Sequence, residues 1–150
     1  LKFHRPKWQI LSTDVCAEAL KIARQNASLL GLKIEHRQAD LFEDLGKFDV
    51  IAANPPYVSH DDPNLDQTVK DFEPEIAFLS AKGGLDHIAR IIKKASLHLN
   101  PNGLLVLEHG HLQGKAVREF GFKYGWQDIQ TKQDLFGRDR VTLMRVRNDR

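Results

Sequence analysis

The spacing of apolar and polar positions changes several times along the chain, and each change marks an element. Residues 8–13 read as a short strand, entered through Pro6 and ending at Asp14. After it, Ala17, Leu20, Ala23, Ala27 and Leu30 recur at spacings of three and four, with Lys21, Arg24, Gln25 and Ser28 between them. This is the pattern of an amphipathic helix, which Asp14 is placed to cap and Gly31 to close. Residues 33–39 predict a short polar strand at a sheet edge, with Ile34 its main apolar residue and Asp40 at its end. Phe48–Ala53 is almost continuously apolar, which predicts a central parallel strand covered by helices on both faces.

Residues 58–80 hold no sustained period and carry Asp61-Asp62-Pro63-Asn64 and Phe72-Glu73-Pro74, so they predict a long loop. Leu85, Ile88, Ile92, Ala95 and Leu99 restore helical spacing. Pro101-Asn102-Gly103 then turns the chain into Leu104-Leu105-Val106-Leu107, an apolar strand ending at Glu108. A third helix is expected over 111–124, and strands over 126–132 and 141–146. The link between those last two is too short for a helical crossover, so they should pair antiparallel. The resulting fold class is α/β, with a mostly parallel sheet and a C-terminal antiparallel strand pair. Asp14, Asp40 and Asn54 then end three parallel strands, and carboxyl ends of strands are where open sheets of this kind bind ligands.

At 150 residues and 41% hydrophobic, the chain is long enough for one domain with a buried core. No apolar run approaches a membrane span, so a cytoplasmic protein is expected. The single cysteine, Cys16, rules out an internal disulfide and reads as a small helix residue. A net charge of +2, with Lys and Arg spread along the chain, tolerates a nucleic-acid partner without arguing for one. Arg138-Asp139-Arg140 reads as surface charge, with contact to a partner protein or its RNA surroundings as the alternative. Glu108, His109 and His111 have no third ligand at a metal-like spacing, so no metal is expected. Gly83-Gly84 reads as a helix entry, and Trp8 and Trp126 as packing residues.

The candidate chemistry centres on Asn54-Pro55-Pro56-Tyr57, directly after the apolar strand. Two prolines fix φ and leave their carbonyls free as acceptors. Asn54 adds a side-chain carbonyl, and Tyr57 a flat ring. Such a turn can hold a planar NH₂ group: two acceptors take its N–H bonds while the ring packs against its plane. Asp14, followed by Val15, could accept both hydroxyls of a ribose. Asp40 could accept from an adenine amino group, with Leu41 packing on the base.

These motifs together resemble the class I, S-adenosylmethionine-dependent methyltransferases with a Rossmann-like fold, and most of all the protein-glutamine methyltransferases of peptide chain release factors. The likeness rests on Ser12-Thr13-Asp14, Ala39-Asp40-Leu41-Phe42, Phe48-Asp49-Val50-Ile51, Asn54-Pro55-Pro56-Tyr57, Phe72-Glu73-Pro74, Gly84-Leu85-Asp86 and Glu108-His109-Gly110 with Gln113. It implies S-adenosylmethionine held by Asp14, Val15, Asp40, Leu41 and Asn54, and a glutamine amide held by Asn54, Pro55, Pro56 and Tyr57. Asn54, Pro55 and Tyr57 are the residues expected to promote transfer, with the ring of Tyr57 and not its hydroxyl in use. The implied partner is a release factor, with ribosomal RNA nearby. Methylation of an exocyclic amine of a nucleic-acid base, which shares the Asn-Pro-Pro-Tyr turn, is the alternative, and an inactive fragment keeping only that turn is another. The family's first strand and its glycine-rich loop are not found in the chain, which opens at Leu1 on what reads as the end of a helix. The expectation is therefore an N-terminally truncated catalytic domain, with a gap between the strand ending at Asp14 and the one ending at Asn54.

Overall fold

The computed structural model describes residues 1–59, 79–80 and 84–147. The Phe72-Glu73-Pro74 motif and Gly83 lie outside them. The chain divides into two compact units, Leu1–Leu45 and Gly46–Arg150.

In the first unit β1 (Leu11–Asp14) pairs in parallel with β2 (Glu35–Gln38), joined by α1 (Ala17–Leu29). Asp14 does not occupy the cap position itself: Cys16 does, and the Asp14 carboxylate accepts from the Cys16 N–H at 2.8 Å, a tight turn just ahead of the helix. The helix stops as its sequence predicts. Gly31, at φ +63°, lets its own N–H reach the Ser28 carbonyl while the Leu32 N–H reaches that of Ala27. Two end carbonyls are thereby satisfied by a glycine-dependent reversal.

The second unit is a four-stranded sheet in the order β3, β6, β8, β7, formed by Phe48–Ala53, Leu99–Glu108, Asp139–Arg145 and Gln127–Gln133. Between β3 and β6 lie β4 (Val58–Ser59) and β5 (Leu79–Ser80), a parallel two-residue pair, and α2 (Asp86–Ala95). The helix α3 (Gly114–Lys123) follows β6. β3 runs parallel to β6, whereas β8 is antiparallel to both β6 and β7. The expected C-terminal antiparallel pair is present, with β8 inserted between its partner and β6.

Alternation builds the core. Leu105 and Leu107 of β6 and His109 just beyond its end are fully buried, and across the ladder Met144 and Thr142 of β8 face Leu105 and Leu107. Against this face pack Ile88, Ile91, Ile92 and Ala95 of α2 and Val117 of α3. Trp126 is buried beside them, its indole N–H donating to the Ile92 carbonyl at 3.0 Å, so an aromatic that would strand a donor is satisfied. At Gly121 a Cβ would come 2.7 Å from Ile129 Cδ1, so α3 lies close on the sheet there and a larger residue would require the Ile129 side chain to shift.

Three sequence expectations need correction. β3 is not a central strand covered on both faces: it has one paired neighbour, and Val50 is 38% exposed. β1 likewise pairs only with β2, so each strand keeps one unpaired flank among the described residues. Second, Leu99 belongs to β6 and not to the helix before it, because α2 tightens into a 3₁₀ turn at Ser96–His98 and ends. Third, Pro101-Asn102-Gly103 does not precede β6 but bulges from it: Phe48 pairs with Leu99, and Val50 already with Leu104. Asn102 takes the left-handed φ of +62° that this extra length requires.

Ile92→Ala should therefore cost about 2–5 kcal/mol, while Leu97→Ala, at a 70% exposed position, should cost about 0.5 or less. Denaturant unfolding of both variants checks the contrast, and equal losses would contradict the core described.

Candidate active site at the Asn-Pro-Pro-Tyr turn

β3 delivers Asn54 to the first position beyond its C-terminal end. Asn54 is exposed, Pro55 is buried, and Pro56 and Tyr57 are half-buried. The Asn54 side chain makes no hydrogen bond among the described residues, and the residue is exposed.

Tyr57 is gripped at both ends. Its carbonyl accepts from Gln113 Nε2 at 2.9 Å, while Gln113 Oε1 accepts from the Gly110 N–H at 2.9 Å. Gln113 stands at the N-cap of α3 yet makes no side-chain cap bond; its amide serves the turn instead. Gly84, at φ +79°, lies beneath: a Cβ there would overlap the Tyr57 carbonyl and come 2.6 Å from Gln113 Nε2. The sequence assigns Gly84 to a helix entry; the structure adds that no larger residue fits against the turn. At the other end the Tyr57 hydroxyl donates to Glu108 Oε1 at 3.1 Å and accepts from Arg140 Nη1 at 3.4 Å. Burial and the Glu108 carboxylate push the phenol above its ordinary value, partly offset by Arg140.

Arg140 is thus not free surface charge. Its side chain is 27% exposed, pairs with Asp134 at 3.6 Å and also reaches the His109 carbonyl at 3.4 Å. Asp134 is held below the usual carboxylate range, chiefly by the Arg138 N–H and then by Phe136 N–H and Arg140. Sequence reading missed Arg140 because its contact crosses 83 residues. Glu108 and Gln113 were visible only as parts of a motif.

His109 is fully buried, with both ring nitrogens bonded. Nδ1 donates to the Gly110 carbonyl at 2.9 Å, which leaves Nε2 to accept from the Thr142 hydroxyl at 2.9 Å. Thr131 lies 3.0 Å from Thr142, and Arg118 donates to Thr131 at 2.8 Å. One direction satisfies every member: Arg118 gives to Thr131, Thr131 to Thr142, Thr142 to His109 and His109 to Gly110. A proton on Nε2 would break the series. Burial, the largest influence, holds His109 below its ordinary value, with the Gly110 carbonyl opposing. Neither His109 nor Glu108 belongs to a metal-like cluster; no such group occurs among the described residues.

In the first unit, Asp14 and Asp40 follow strands that share one direction, and the Ala39 N–H donates to the Asp14 carbonyl at 3.1 Å. Both carboxylates and Val15 are exposed. Leu41 is half-buried and held at φ +56°, a left-handed conformation that costs a branched residue energy and is concentrated at ligand sites. Asp14 and Asp40 therefore share the C-terminal end of one sheet, and Asn54 ends a strand of another.

The fold is one that solved methyltransferases share. Among solved structures, a methyltransferase from Pyrococcus furiosus shares the Rossmann-like fold with a TM-score of 0.69 at 20% identity, over 95% of this chain and 66% of that one. The family described as Methyltransferase small domain matches residues 1–90, and the chain belongs to it. The release factor glutamine methyltransferase of Xylella fastidiosa (strain Temecula1 / ATCC 700964) is 45% identical over 144 residues, covering 94% of this chain and 52% of the relative. The protein of that name from Escherichia coli (strain K12) is 38% identical over 148 residues, covering 97% and 53%. The chain spans about half the length of the curated relatives it matches. The resemblance read from the sequence is borne out at the level of the family.

Because folded His109 takes up a proton less readily than the unfolded chain, whose ordinary value is 6.5, its contribution to stability is present above that value and lost as pH falls. The melting temperature should drop between about pH 7.5 and about pH 5, and less steeply in His109→Gln. Parallel slopes in the two proteins would remove His109 from the account.

Proposed function

We propose that this chain is a methyltransferase catalytic domain that transfers a methyl group from S-adenosylmethionine to the side-chain amide nitrogen of a glutamine in a peptide chain release factor, in the cytoplasm. The observation that carries it is the acceptor turn itself: an exposed Asn54 in one turn with a Tyr57 whose carbonyl and hydroxyl are both held. The names of the relatives support the substrate. No helix among the described residues is long and apolar enough to cross a membrane.

The cofactor contributes an electrophilic methyl group on a sulfonium. The residues of the first unit fit it. Asp14 commits one oxygen to the Cys16 N–H and has a second for ribose hydroxyls. Asp40 is exposed where an adenine amino group would be received, and Val15 and Leu41 supply apolar surface beside the two carboxylates.

The acceptor needs more help, because an amide lone pair is delocalised into its carbonyl. Asn54 Oδ1 and the Pro55 carbonyl take the two N–H bonds, which returns electron density to nitrogen and aims its remaining face. Pro56 keeps the turn stiff, and the Tyr57 ring walls the amide plane. Positioning of this kind removes much of the entropic part of the barrier. When bound, the cofactor would supply the methyl carbon and its sulfur would keep the electron pair of the C–S bond. The nitrogen then releases one proton to water, so no strong base is required beforehand.

Asn54→Ala should lower methyl transfer to a release factor by at least about 100-fold with the fold intact, since the acceptor matters most during attack. Mass analysis of the acceptor glutamine checks it, and turnover within a few-fold of the parent contradicts the role. Asp14→Ala should weaken S-adenosylmethionine binding by about tenfold or more, because charge-assisted hydrogen bonds are worth about 1.5–3 kcal/mol. Calorimetry decides this, and unchanged affinity leaves Asp14 as a turn former.

A further inference from the structure

The phenol of Tyr57 has one proton to give, and the structure uses it against a carboxylate. Its oxygen in turn faces a guanidinium. Glu108 Oε1 stands 3.1 Å from the hydroxyl and Arg140 Nη1 3.4 Å. Neither charge sits on a free arm. Glu108 is the last residue of β6 and pairs with Val141 of β8, and the His109 N–H donates to the Arg140 carbonyl at 3.0 Å. The two charged residues thus leave adjacent positions of one ladder. Arg140 is fixed again through its fork, by the His109 carbonyl on one side and Asp134 on the other. Asp134 is itself held by the N–H groups of Phe136 at 2.9 Å and Arg138 at 3.0 Å. The series runs from the β7–β8 turn to the phenol oxygen.

Resting on the amide-acceptor reading of the turn, we infer that Glu108 and Arg140 clamp the Tyr57 hydroxyl from both sides and are positioning residues for methyl transfer. With Gln113 holding the Tyr57 carbonyl, the clamp fixes the direction of the ring axis against the Asn54 side of the turn. The hydroxyl is consumed by the protein, so the substrate meets the ring. Lysine does not reproduce Arg140, because Nη1 serves the phenol and the His109 carbonyl while Nη2 pairs with Asp134, and a single ammonium nitrogen cannot stand at both places.

Two measurements test this. In the enzyme, Arg140→Met and Arg140→Lys should each lower kcat about 10- to 100-fold, the scale of a displacement of about 1 Å, with cofactor affinity held within about twofold. Once Tyr57→Phe has removed the hydroxyl, Arg140→Met should lower kcat by no more than about twofold further, because the two share one contact. Fully additive losses overturn the clamp. Glu108→Gln, which keeps an acceptor, should retain more activity than Glu108→Ala.

The second measurement needs no methyl transfer. The chain has two tyrosines, so Tyr124→Phe leaves Tyr57 as its sole phenol. Its ionisation is followed by phenolate absorbance over the pH range in which circular dichroism shows the fold retained. Glu108→Gln should lower the midpoint and Arg140→Met should raise it, opposite signs that a merely structural role does not produce. Unmoved midpoints, or shifts of the same sign, overturn the clamp. Opposite shifts in a protein that fails to methylate a release factor keep the clamp and remove the amide reading with its catalytic consequence.

Discussion

An amide side chain can give and take a hydrogen bond at once, and the site depends on Gln113 doing both. Its oxygen holds the Gly110 N–H and its nitrogen the Tyr57 carbonyl, so one side chain ties the end of β6 to the turn leaving β3. The tie works because of what surrounds it. Gly84 leaves room for two polar groups to meet where any Cβ would intrude. The prolines of the turn supply no N–H groups, so the turn cannot anchor itself through its own donors and must be held from outside. A stiff segment needs few anchors, and a carbonyl at one end of Tyr57 with a hydroxyl at the other is sufficient.

The same strand end also carries the electrostatics. β6 places Glu108 toward the phenol and His109 toward the core, as alternation along a strand requires. His109 is held below its ordinary value by burial, and the hydrogen-bond series from Arg118 through Thr131 and Thr142 leaves its ring proton on Nδ1. A fully satisfied polar series of this kind specifies one arrangement of the strands, whereas a partly satisfied one would cost stability. The insertion of β8 between β6 and β7 is what brings Thr142 opposite Leu107 and Arg140 beside the phenol.

On the proposed reading, the two groups of site residues are held in different ways. Residues of the first unit that suit a nucleoside, Asp14 and Asp40, follow parallel strands and sit in turns whose geometry local hydrogen bonds set. Residues that suit an amide follow β3 and are set by contacts from far along the chain. The surroundings of Asp14 are therefore written locally, and those of the Asn54-Pro55-Pro56-Tyr57 turn are assembled by tertiary packing.

This division explains which features could be read from the sequence. Periods of two and of three to four named the strands and helices, because burial of one face imposes them before any partner is chosen. Gly31 ended α1 because a left-handed residue is required there whatever the surroundings. Asn54-Pro55-Pro56-Tyr57 was legible for the same reason, as its stiffness and its acceptors belong to the residues themselves. Other features depended on partners. An apolar stretch looks alike whether one face or both are covered, so the exposure of Val50 was invisible, and so was the bulge that keeps Pro101-Asn102-Gly103 inside β6. Arg140 looked like any surface cation until antiparallel pairing set it against Tyr57. Local sterics and the cost of exposing apolar surface act on neighbours in sequence, and these the sequence determined alone. Which charge meets which hydroxyl depends on strand order and register, and only the tertiary structure decided that.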